Sequence, residues 1–136
     1  NSTRRIFLIT GDGELAEGSN WEAALAAAHY GLDNLVIIND KNNLQLAGPT
    51  REIMNTDPLA DKWRAFGMAV SECEGNDMAS VVAAIEGLKQ EGKPNVIIAN
   101  TTKGAGISFI QGRPEWHHRV PKGEEIALAL EELKDE

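Results

Sequence analysis

Leu35-Val36-Ile37-Ile38-Asn39-Asp40-Lys41-Asn42-Asn43 is the stretch that decides the fold class. Residues 35–39 read as a strand without a polar face, the pattern of a strand covered on both sides in a parallel sheet. Residues from Asp40 on read as a polar loop at its carboxyl end. Upstream, Ile6-Phe7-Leu8-Ile9 lies between Arg4-Arg5 and Thr10-Gly11-Asp12-Gly13 and reads as a buried strand ending in a loop. Between the two, Ser19 precedes Asn20-Trp21-Glu22 at a capping-box spacing. The helix it opens runs through Ala23 to His29 and stops near Gly31, and its small residues suit close packing on a sheet or another helix.

Downstream, Asp57 as N-cap and Pro58 at the first helical position open a helix through Trp63 to Phe66. Met68 to Ser71 is a third, weaker strand. Asp77 caps a helix with apolar positions Val81, Val82, Ile85 and Leu88, and Val96-Ile97-Ile98-Ala99 is the fourth strand. Thr101 to Pro121 is a long loop before a last helix, Gly123 to Leu133, with Ile126, Leu128, Leu130 and Leu133 apolar. The order βαβαβαβα predicts an α/β fold: an open, mostly parallel sheet with helices on both faces. The first strand, which leads into a glycine-rich loop, is expected inside the sheet of a complete protein, and in a piece that lacks upstream segments one face or edge of that sheet is expected to lack cover.

With 136 residues, 42% hydrophobic and 25% charged, the chain is expected to be one domain with its own core. Thirteen Lys+Arg against 21 Asp+Glu give a net charge of −8, which argues against a nucleic-acid binder with a general basic surface. Glu124, Glu125, Glu131, Glu132, Asp135 and Glu136 read as a solvated helix face. The lone cysteine, Cys73, excludes an internal disulfide framework and reads as a buried, inert thiol. No apolar run reaches the ~20 residues of a membrane span, and no signal peptide is visible, so a cytoplasmic location is the expectation. The chain begins at Asn1 and enters a strand almost at once, as expected of a piece of something longer.

In open α/β sheets ligands sit at the carboxyl ends of the strands. That singles out three loops: Gly11 to Gly18, Asp40 to Gly48, and Thr102 to Pro121. The first offers backbone N–H groups suited to a phosphate, yet lacks the third glycine of a dinucleotide fingerprint and the Lys of a P-loop. By itself it also reads as a tight turn with a capping aspartate. The second loop adds Asn42-Asn43, about thirty positions after Asp12. A right-handed βαβ unit brings the two loops side by side, and their oxygen donors suit a hard cation such as Mg²⁺, which completes its shell with phosphate oxygens and water.

Gly11-Asp12-Gly13 followed by Asn42-Asn43 resembles the diphosphate motif of thiamine diphosphate enzymes. The fuller string Gly11-Asp12-Gly13-Glu14-Leu15-Ala16-Glu17-Gly18-Ser19-Asn20-Trp21-Glu22-Ala23-Ala24 is similar to the transketolases, as are residues 30–35 and 42–48. Glu115-Trp116-His117-His118-Arg119-Val120-Pro121 looks most like the amino-terminal subunit of split transketolases. The resemblance implies two-carbon ketol transfer between sugar phosphates, with this chain as the later portion of the diphosphate-side domain. It implies a cation, Mg²⁺ or Ca²⁺, held by Asp12, the Asn42 side-chain oxygen and the Leu44 carbonyl. Gly11 and Gly13 would line the diphosphate and Leu46 the apolar ring edge, with Lys103 passing the diphosphate. Glu17 would stand at a subunit contact near the cofactor. His118, the His of His-x-x-Pro, would touch the diphosphate and the substrate side and serve as the catalytic histidine. His117 reads as a surface residue and His29 as structural.

The resemblance further implies a homo-oligomer built on dimers and, as partner, a pyrimidine-binding domain or C-terminal subunit. The glutamate that activates the aminopyrimidine ring lies on that other domain, so the chain alone is expected to be inactive. Three other readings stand beside this one. They are another thiamine diphosphate enzyme of the deoxyxylulose-phosphate synthase or ketoacid dehydrogenase type, a non-catalytic phosphate or nucleotide module, and a fragment that only completes a partner.

Overall fold

The computed structural model describes residues 4–46 and 48–135; the Asp135 side chain, Glu136 and Ala47, all noted in the sequence, lie outside the described parts. Four strands run parallel: β1 (Ile6–Gly11), β2 (Leu35–Lys41), β5 (Ala69–Glu74) and β6 (Asn95–Asn100), in the order β1-β2-β6-β5. All four end on the same side, so the loops after β1, β2 and β6 gather there. Ile9 pairs with Ile38, Thr10 with Asn39, and Ile38 in turn with Ile97.

Helices cover both faces, as the alternation predicts. On one face Ala24 and Ala27 of α1 (Gly18–His29) and Leu59 and Trp63 of α3 (Leu59–Ala65) pack on Ile37, Val96 and Ile98. Trp63 is the largest fully buried side chain there, 1% exposed, its ring tilted 37° against that of Trp21 at 4.8 Å. On the other face Val81, Ala84, Ile85 and Leu88, from α4 (Met78–Glu86) and just beyond it, pack on Val36, Cys73, Ile97 and Ala99. Cys73 is buried as expected, and burial, with Glu74 beside it, pushes its thiol pKa up.

Several local expectations shift. Ser19 lies inside α1, whose first turn has no side-chain cap; instead Asn20 Nδ2 donates to the Glu14 carbonyl at 2.6 Å. Asp57 does not cap α3, because its carboxylate pairs with Lys41 Nζ at 3.0 Å and Pro58 takes the cap position. Asp77 does cap α4, accepting from the N–H groups of Ala79 and Ser80. The loop after β2 holds a small antiparallel ladder, β3 (Leu44–Gln45) with β4 (Gly48–Pro49), and a four-residue helix, α2 (Thr50–Ile53). No alternation announced strands of two residues.

β1 stands at the sheet edge, and Ile6, Phe7, Leu8 and Ile9 are 58%, 48%, 45% and 70% exposed, so the run is not the buried strand its residues suggest, whereas an uncovered edge of the sheet is the expectation. Among the described residues β1 pairs only with β2, so an apolar sequence there is not matched by cover. The last helix, α5 (Glu124–Glu132), also leaves Ile126, Leu128 and Leu130 exposed. Among the described residues no helix is long and apolar enough to cross a membrane.

Candidate functional site

Parallel pairing of β1 and β2 sets Gly11 opposite Asp40, so the Gly11-Asp12-Gly13 turn leaves the sheet beside the Asp40–Asn43 segment. Wholly buried Asn39 stitches the two strand ends together, donating Nδ2 to the Thr10 carbonyl at 3.3 Å. Asp12 is 3% exposed, and its Oδ2 accepts the Asn43 N–H at 2.6 Å. That bond holds Asn43 in the left-handed region, φ 62°, which Asn tolerates. Asn42 then folds back, its Oδ1 accepting the Leu44 N–H at 3.0 Å.

Burial pushes the Asp12 carboxyl above its ordinary pKa; the N–H groups of Asn43 and Asn42 pull it part of the way back. A carboxyl so placed is stabilised by a proton or by a cation beside it. Among the described residues no cluster of three His, Cys, Asp or Glu forms a closed metal cage. One carboxylate, one amide oxygen and one carbonyl cannot fill the shell of a hard divalent cation by themselves. The donor set therefore fits a cation that arrives with phosphate oxygens of its own.

The space over these groups is a cavity of about 450 Å³. Gly11, Asp12, Gly13, Asp40 and Asn42 form its polar floor; Leu44 and Leu46 give it an apolar side; Lys103 and His117 bring the cationic and imidazole groups. Glu14 and Gln45, to which the sequence pattern gives no role, complete the wall. Gln45 is buried and donates Nε2 to the Met54 carbonyl at 3.0 Å, so α2 fixes the floor from behind.

Lys103 is placed by a web of bonds. Asp40 accepts from the Thr101 hydroxyl, the Thr101 N–H reaches the Lys41 carbonyl at 3.0 Å, and the Gly112 N–H donates to the Lys103 carbonyl at 2.8 Å. Asn76, from the turn after β5, accepts the Thr102 N–H at 2.6 Å. The residue before it must be glycine: a Cβ on Gly75 would collide with the Thr101 methyl and stand 3.0 Å from the Ala99 Cβ. The sequence carries no signal for this strut beyond the Gly-Asn-Asp turn itself.

The histidine on the cavity wall is His117, not His118. Counting back from Pro121 selects His118, but the chain there is a short 3-10 turn, Pro114–His117. Trp116 anchors the turn: it is buried, meets Phe109 edge-on at 5.4 Å and carries the Arg119 guanidinium 4.1 Å over its ring. With Trp116 turned inward, His117 faces the cavity, and His118 packs edge-on behind it at 4.5 Å. Glu17, at the start of α1, is exposed and off the cavity wall.

A cavity at the carboxyl ends of parallel strands, lined by glycines and oxygen donors, stands where an open α/β sheet takes its ligand. The chain belongs to the transketolase family: the family described as "Transketolase, thiamine diphosphate binding domain" matches residues 1–134. It is 71% identical over 135 residues to one subunit of the apulose-4-phosphate transketolase of Actinobacillus succinogenes, covering 99% of this chain and 49% of that one. It is 42% identical to the 6-deoxy-6-sulfo-D-fructose transketolase subunit SqwG of a Clostridium species, covering 96% and 48%. The Campylobacter jejuni transketolase structure superposes with a TM-score of 0.85 at 33% identity, over 94% of this chain and 20% of that one. The chain thus spans about half the length of the split-transketolase relatives it matches.

Proposed function

We propose that this chain holds the diphosphate end of thiamine diphosphate, with Mg²⁺ or Ca²⁺, in an enzyme that moves a two-carbon ketol unit between sugar phosphates. The observation that carries this is that buried Asp12, half-buried Asn42 and Leu44, Lys103 and His117 all line one cavity. Asp12, the Asn42 side-chain oxygen and the Leu44 carbonyl would hold the cation. Gly11 and Gly13 would let the diphosphate approach the backbone, while Lys103 would balance its charge and Leu44 and Leu46 would border the ring. His117 takes the role that the His-x-x-Pro pattern gives to His118: a hydrogen bond toward the diphosphate and the substrate. Once bound, thiamine diphosphate supplies the carbon nucleophile and electron sink of the reaction.

Residues 1–136 are, on this reading, a single domain, the later portion of the diphosphate-side domain. The aminopyrimidine end falls to a pyrimidine-binding domain or C-terminal subunit, a division supported by relatives that are themselves named as single subunits of a transketolase. The assembly is a dimer or a multiple of it, with Glu17 and α1 at the subunit contact, and Glu17→Ala should weaken association in sedimentation. The substrates are phosphorylated sugars, apulose 4-phosphate first among them, on the strength of the 71% identical relative. Such charged sugars do not cross membranes, which favours the cytoplasm. Calorimetry with thiamine diphosphate plus Mg²⁺, against ATP and NAD, tests the ligand class: saturable binding is expected of the first alone, and preference for a nucleotide would sink the proposal.

A further inference from the structure

We propose that Glu14 is the positioning residue of the cation site: its carboxylate closes the Gly11–Gly13 turn against the end of β1 and so fixes where Asp12 points. The inference rests on the reading of Asp12 as a cation ligand.

Glu14 Oε2 accepts the Gly11 N–H at 2.9 Å, the last amide of β1. The Glu14 carbonyl is held from the other side, by Asn20 Nδ2 at 2.6 Å and by the Glu17 N–H at 2.9 Å. Glu14 is therefore a strut from the first turn of α1 to the end of β1. The need for one follows from the sequence. Asp12 sits between two glycines, the residues with the widest backbone freedom, just past an edge strand with exposed side chains. Apart from the strut, the described residues hold this turn by the Ala16 N–H on the Gly13 carbonyl at 3.2 Å and by the Asp12 carboxylate on the Asn43 N–H, neither of which fixes Gly11. With it, Gly11 is fixed, Asp12 is aimed, and the Asp12 carboxylate in turn holds Asn43 at 2.6 Å. One line of bonds thus joins α1, β1 and the loop that carries Asn42 and Leu44.

A negative side chain on the wall of an anion-binding cavity has two other possible roles, and each gives a different result. If Glu14 were itself a cation ligand, loss of its charge would weaken binding however well its amide replacement accepted a hydrogen bond. If it only repelled the diphosphate, loss of its charge would tighten binding. As a strut it needs only an acceptor oxygen at the right reach, which Gln supplies.

The test is a titration of Mg²⁺ into the assembled enzyme at saturating thiamine diphosphate, with Glu14→Ala, Glu14→Gln and Asp12→Ala, beside amide hydrogen exchange on the metal-free protein. The strut predicts that Glu14→Ala weakens the apparent Mg²⁺ affinity roughly tenfold, the order of one hydrogen bond to a charged group. It predicts that Glu14→Gln stays within about threefold of the parent, and that in Glu14→Ala the Gly11 and Asn43 amides both exchange faster. Equal weakening by Glu14→Gln, tightening by either variant, or unchanged Asn43 exchange would overturn it. Should Glu14→Ala fail to fold, Glu14→Gln still decides between strut and ligand. Should Asp12→Ala bind Mg²⁺ as the parent does, the reading of the cation site fails, separately from the strut.

Discussion

Ile97 and Ile98 of β6 are each 1% exposed, whereas Ile6 and Ile9 of β1 are 58% and 70% exposed. Both strands are short, apolar and parallel. The difference is what flanks them: β6 lies between β2 and β5 with helices on both faces, and β1 has one neighbour among the described residues. Apolar sequence thus states a requirement for cover, and topology decides whether the described residues meet it. The contrast matters for function because the poorly covered strand is the one that ends in Gly11 and leads to Asp12.

The comparison breaks most visibly in turnover. On the proposed division of the site, the group that activates the aminopyrimidine ring belongs to the partner, so the 136-residue chain should show no two-carbon transfer in a coupled assay, even with thiamine diphosphate and Mg²⁺. Supplying the pyrimidine-binding partner and the remainder of the diphosphate-side domain should bring turnover up. Enzymatic rates from the chain alone would contradict the division of labour.

Urea denaturation compares the two strands directly. Ile97→Ala should cost about 2–5 kcal/mol, the toll of a cavity in a packed core, and Ile9→Ala in the same chain no more than about 0.5 kcal/mol. Equal costs would mean that β1 is covered in solution in a way its exposure denies.

At the carboxyl ends the contrast narrows to two neighbours. His117→Ala in the assembled enzyme should weaken cofactor binding by roughly tenfold, as expected for one hydrogen bond to a charged group. His118→Ala, one residue further from the cavity, should change it by less than about threefold; the reverse order would restore the His-x-x-Pro assignment.

The smallest effect is on the metal-free protein. Burial raises the Asp12 pKa, so its stabilising contribution is complete at low pH and is lost as pH rises through the folded pKa and the buried charge forms. Asp12→Asn keeps an acceptor for Asn43 without the charge. In chelator at neutral pH it should raise Tm by roughly 2–4 °C, on the scale of 1 kcal/mol, and the gain should vanish in acid where Asp12 is protonated. A fall in Tm at neutral pH would show that the charge stabilises the turn.

Much of this was legible in the sequence, for reasons that differ by element. The four strands and the helices on both faces follow from apolar runs alternating with helical patterns, and the site loops follow from lying after parallel strands. Asp12 and Asn42 could be paired because the βαβ unit constrains where strand ends meet. Three things were hidden. Which strand would be exposed depends on neighbours that its own apolar residues cannot report, although an uncovered face or edge of the sheet is expected. Which of His117 and His118 lines the cavity turns on one residue of register, set by the inward-facing Trp116. Glu14 and Asn76 act through single hydrogen bonds to backbone amides, and such bonds leave no periodicity to read.

On the proposed reading, Asp12 and its neighbours hold the cofactor's diphosphate through a cation. Calorimetric titration of thiamine diphosphate into the assembled enzyme, with Mg²⁺ and in chelator, for the parent and Asp12→Ala, measures that dependence. The parent should bind saturably only when Mg²⁺ is present, and Asp12→Ala should lose that binding, because the cation loses its one charged protein ligand. Parent-like affinity in Asp12→Ala, or equal affinity in chelator, would contradict it.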